Sequence, residues 1–66
     1  MKIQDREVTQ NDVGSPVTYV PTHANGDASH QDCERGHISS FNDNHIWVRF
    51  KSANGERCDV NNLIWG

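Results

Sequence analysis

The chain has 66 residues, of which 33% are hydrophobic and 23% charged, and its net charge is −3 with histidine neutral. A chain this short hides only about 60% of the surface that its unfolded form exposes, which excludes a doubly wound fold, a bundle of long apolar helices or a deep enzyme cleft. The negative balance argues against a protein whose main work is gripping nucleic-acid backbone.

Met1 to Asp12 carries only Met1, Ile3 and Val8 as apolar side chains, with no useful period. It reads as a flexible N-terminal tail or edge segment (1–12), ahead of a folded domain over 13–66. It has no apolar centre like that of a secretory signal, and no run in the chain nears the roughly 18 apolar residues of a membrane span. The expected setting is the cytoplasm, with reduced thiols and no membrane contact. Val13-Gly14-Ser15-Pro16 is turn chemistry, and Val17-Thr18-Tyr19-Val20 is a short strand ended by Pro21. Thr22 to Arg35 holds almost nothing apolar and includes the turn signal Asn25-Gly26. So long a loop in so small a domain is normally functional or pinned. Gly36 to Phe41 predicts a second strand. His45 to Phe50 predicts a third, with Ile46, Val48 and Phe50 on one face and His45, Trp47 and Arg49 on the other. A second Asn-Gly turn lies in Lys51–Gly55, followed by a strand over Glu56–Val60, a single 3₁₀ turn at Asn61–Leu63 and a closing strand at Ile64–Trp65. The expected core is Val17, Tyr19, Ile38, Ile46, Val48, Phe50, Cys58, Val60, Leu63 and Trp65.

Five short strands, a long loop after the first and tight connections thereafter make an all-β layout that resembles a small SH3-like barrel. The segment GHISSFNDNHIWVRF is similar to the apolar cadence of such barrels, with Gly36, Ile38, Ile46, Val48 and Phe50 in phase. Closure into a barrel suits a small domain because it removes sheet edges. The pattern H-x-x-G-D-x-x-H-x-D-C-E-x-G, carried by His23, Gly26, Asp27, His30, Asp32, Cys33, Glu34 and Gly36, resembles small proteins encoded by bacteriophages and prophages. That resemblance implies a phage or mobile-element origin and no particular activity.

His23, His30, Cys33 and His37 lie within fifteen residues of one another, and Cys58 comes from the fourth strand. Zinc takes Cys sulfur and His nitrogen in a tetrahedron, and spacings of two to four residues let one turn supply two ligands. The set that best fits a structural zinc is His23, His30, Cys33 and Cys58, and such an ion would staple a domain with a thin core. Ordinary polar and core roles for the same residues compete with it, as does a Cys33–Cys58 disulfide. Asp32 and Glu34 flank Cys33 and blunt it as a nucleophile, so no catalytic residue is expected. The acidic loop lacks the spacing of a calcium-binding loop.

Trp47 falls opposite the expected core face, and an outward Trp is a frequent binding anchor. The leading expectation is a non-enzymatic module that docks on a host or phage protein. The alternative is a barrel-type binder of RNA or DNA using Trp47, Arg49, Lys51 and Arg57. A zinc-stapled regulatory domain is the third reading.

Overall fold

The computed structural model describes residues 1–51 and 53–66, and all of their side chains except those of Ala53 and Asn54. Ser52, inside the expected Lys51–Gly55 turn, lies outside the described residues. Strands dominate, and helical structure among the described residues is confined to short 3₁₀ turns. The strands are β1 (Lys2–Ile3), β2 (Arg6–Glu7), β3 (Pro16–Tyr19), β4 (Glu34–Phe41), β5 (Ile46–Phe50), β6 (Ala53–Cys58) and β7 (Leu63–Trp65). β1 and β2 form a hairpin of their own, and the other five make one antiparallel sheet in the order β6-β5-β4-β3-β7. The sheet is open, with β6 and β7 at its two ends.

The alternation read from the sequence places this sheet. Val17 pairs with Gly36, Gly36 with Phe50, Ile38 with Val48, and Ile46 with Cys58, so these residues share the inner face. Val17, Ile46 and Val48 are fully hidden there. Each such side chain gains about 1.5–3 kcal/mol from leaving water. β4 runs eight residues and serves both β3 and β5, with a register shift between Ile38 and Ser40 that bends it between the two. Gly36 is required by this closeness: a Cβ there would stand 2.6 Å from the Arg49 carbonyl oxygen and 2.8 Å from Val48 Cγ1.

The expected core is present, with Tyr19, Cys58, Val60 and Trp65 packed at its margin rather than fully inside. Residues 1–12, expected as a flexible tail or edge segment, are folded onto that core. Ile3 is 0% and Val8 4% exposed, and both belong to the central cluster. The Val8 amide donates to the Met1 carbonyl at 3.0 Å, and Gln4 turns the chain with a φ of 55°. The fourth strand sits earlier than expected, and Val60 opens the 3₁₀ turn Val60–Asn62 instead of ending the strand. Asp59 caps that turn by accepting from the Asn61 amide at 2.9 Å.

Trp65 ties the two ends of the chain together. Its indole Nε1 donates to the Ile3 carbonyl at 2.8 Å, and its amide donates to Gln4 Oε1 at 3.1 Å. The Arg6 guanidinium lies 3.8 Å from the centre of the indole ring, in cation–π contact, and also reaches Asp12 Oδ1 at 3.1 Å. Asp12 is buried and well supplied with donors: Oδ2 accepts from the Thr9 amide at 2.8 Å and from the Thr9 hydroxyl at 3.2 Å.

Candidate functional site

The long connection between β3 and β4 is a chain of turns rather than an open loop. Pro21 and Ala24 are its buried footing, and Thr22–Ala24 is a 3₁₀ turn closed by Asn25 in the left-handed region. The amide of Asp27 then donates to Ala24, that of His30 to Asp27, and that of Cys33 to His30, all between 3.0 and 3.1 Å. Asp27 Oδ1 also accepts from the amide and hydroxyl of Ser29. The Ser29 hydroxyl, and next its amide, hold the Asp27 carboxyl below the usual carboxylate range.

This winding brings His23, His30 and Asp32 together, each offering one ligand atom within 4.8 Å of the others. His23 Nε2 lies 2.7 Å from Asp32 Oδ2, and the Asp32 amide donates to His30 Nδ1 at 3.0 Å. The two imidazoles meet edge to face at 5.4 Å. The side chains of His23 and Asp32 are more than half exposed, at 61% and 52%, so water and ions reach them freely.

Of the four residues expected to bind zinc, His23 and His30 are thus in one group with Asp32, and the thiols are not. Cys33 and Cys58 are both free. The Cys33 thiol donates to the Asp27 carbonyl at 3.3 Å. Cys58 lies at the end of β6 on the inner face, beside Ile46. Burial, with a smaller contribution from Glu56, pushes its thiol pKa up, which disfavours the thiolate that a metal needs. His37 is exposed on β4, away from the loop cluster. Asp32 was legible as an acidic loop residue; its meeting with His23 depends on the 3₁₀ turn that starts the loop.

A second feature is the outer face of the sheet. Register fixes its rows: Arg35 beside Thr18, His37 between Pro16 and Arg49, and Trp47 between Ser40 and Arg57. The expected contact residues Trp47, Arg49 and Arg57 therefore share one face, and Lys51 is exposed in the turn just past β5. Arg35 and His37 join them, as β4 alternation allows. Among the described residues no Asp or Glu occupies these rows; Glu34 and Glu56 fall in the opposite phase, across from Tyr19 and Val48. Trp47 is half-buried and stacks obliquely on His45 at 5.8 Å. Arg57 stands at the border of this face, where it also lines a pocket with Asp32, Glu34 and Glu56.

A shallow cleft of about 420 Å³ separates the long loop from the last 3₁₀ turn, lined by Val20, Pro21, Thr22, Asn61, Asn62 and Ile64 among others. The Asn62 amide group spans its floor, donating to the Val20 carbonyl at 3.0 Å. No helix among the described residues is long and apolar enough to cross a membrane. No family model, curated protein or solved structure matches the chain.

Proposed function

We propose that this chain is a non-catalytic binding module of SH3-like barrel layout whose outer sheet face binds single-stranded nucleic acid. The barrel layout is supported by the strand order, by the long connection between β3 and β4, and by the 3₁₀ turn before the last strand. The observation that carries the binding reading is the outer face itself. Trp47 sits beside Arg57, Arg49 follows it along β5, and His37 and Arg35 extend the same face, with no carboxylate in these rows among the described residues. The overall charge of −3 is thus unevenly placed, and the sheet face is locally cationic. A flat cationic strip offers phosphates their counter-charge, and an accessible indole offers bases a stacking surface that tolerates any sequence. This arrangement favours nucleic acid over the expected docking of a host or phage protein on the same residues.

Fluorescence anisotropy with a labelled single-stranded RNA or DNA decamer tests the reading. Three phosphate contacts predict binding at 50 mM salt that weakens about twentyfold at 200 mM. Trp47→Ala should weaken it by about tenfold, the loss of one stacked base. Absence of binding at 50 mM salt, or binding indifferent to Trp47→Ala and Arg49→Ala, overturns it and returns the chain to the protein-docking class.

A further inference from the structure

The loop cluster is chemically unlike the sheet face and makes a separate site. We propose that His23, His30 and Asp32 together bind one divalent transition-metal ion, of which Zn²⁺ is the best match. Two imidazoles and one carboxylate suit the borderline ions such as zinc, cobalt and nickel, and offer too few oxygens for calcium or magnesium. The geometry is close to that of a bound state. Ligands held about 2.0–2.2 Å from zinc in a tetrahedron stand roughly 3.3 Å from each other. His23 Nε2 and Asp32 Oδ2 are already 2.7 Å apart, and the whole trio lies within 4.8 Å. An ion takes the place of the proton shared between His23 and Asp32, and the proton of the His23 ring moves to Nδ1. His30 contributes a ring nitrogen after a small inward shift, and Nδ1 can serve once it gives up the Asp32 amide.

The backbone prepares the site in advance. His23 sits in the 3₁₀ turn that starts the loop, on the buried footing of Pro21 and Ala24. His30 and Asp32 sit in the turns that end it, where the His30 amide donates to the Asp27 carbonyl and the Cys33 amide to the His30 carbonyl. An ion here therefore ties the two ends of the loop to each other, a task that apolar packing does not perform in this segment. Neither thiol takes part: Cys33 is turned to the Asp27 carbonyl, and Cys58 is on another strand. The remaining coordination positions face solvent and carry water.

Isothermal titration of the full chain with zinc chloride, paired with visible and near-ultraviolet spectra of the cobalt complex, tests the assignment. One Zn²⁺ per chain is expected. His23→Ala, His30→Ala and Asp32→Asn should each weaken binding by at least about tenfold, while Cys33→Ser stays within about threefold of the parent. The cobalt complex should lack an intense thiolate charge-transfer band. Circular dichroism of each variant separates lost ligation from lost folding. No zinc uptake at 100 μM metal (about a 10⁻⁴ M limit on Kd) overturns the proposal. So does undiminished binding by folded His30→Ala and Asp32→Asn, or a thiolate band that vanishes in Cys33→Ser.

Discussion

Residues 1–12 and 21–33 are polar segments of nearly equal length on either side of β3, and they are held by opposite means. The first gives two branched side chains, Ile3 and Val8, to the central core. The second gives it none, keeping only Pro21 and Ala24 out of water at its start. Its order comes from successive turns and from the contact between His23 and Asp32. The contrast teaches that the size and aim of two apolar side chains decide whether a polar segment joins a core. A segment without them spends its polar groups on itself and leaves His23 open to solvent.

Three measurements break or sharpen this contrast. The largest effect is expected from Ile3→Ala, which empties a fully buried position and should cost about 2–5 kcal/mol in urea unfolding. A cost under about 0.5 kcal/mol, usual for a surface site, would show that the N-terminal hairpin is only resting on the sheet. Acidification comes next. Asp12 is held below the usual carboxylate range chiefly by the Thr9 amide, and Glu7 chiefly by its hydrogen bond to the N-terminal ammonium group. Asp27 is lowered in the loop by Ser29. Each carboxylate titrates lower in the folded chain than in the unfolded one. The stability it contributes is therefore present above about pH 4 and lost as pH falls through its folded value. The melting temperature should drop between pH 4.5 and 2.5 (around the ordinary carboxylate range), and Asp12→Asn should flatten that drop more than Asp27→Asn. Equal flattening by the two would erase the distinction between the segments. The smallest effect belongs to His23→Ala in metal-free buffer, which should change stability by no more than about 0.5 kcal/mol. A larger loss would mean that the His23–Asp32 pair already anchors the domain without an ion.

The sheet was legible in the sequence because it obeys a simple period. Ile46, Val48 and Phe50 alternate with Trp47 and Arg49, and Gly36 and Ile38 continue the phase on the neighbouring strand. The outer face followed from the same rule, although Arg35 and His37 were not counted toward it. The N-terminal hairpin was hidden because Ile3 and Val8 are five residues apart, which fits neither a strand nor a helix. Only the turn at Gln4, a residue with no special preference for a positive φ, brings them to one side. The end of the fourth strand was misjudged because Val60 is β-branched, yet the Asp59 cap draws it into a 3₁₀ turn. The loop cluster was half legible. Spacing brought out the histidines, but the winding of the loop sets Asp32 beside His23 and turns Cys33 to a backbone carbonyl.

The bond from the Trp65 indole to the Ile3 carbonyl bears on how the molecule is made. Ile3 and Trp65 stand 62 residues apart along the chain. The strand pair β3–β7 joins residues more than 40 positions apart, as in Val17 with Trp65. Contacts so distant along the chain slow folding, because the intervening polymer must be ordered before they form. The sheet is therefore complete only once β7 has docked on β3. Until then the Ile3 carbonyl lacks the indole donor, and the Gln4 side chain lacks the Trp65 amide, that fasten the N-terminal hairpin.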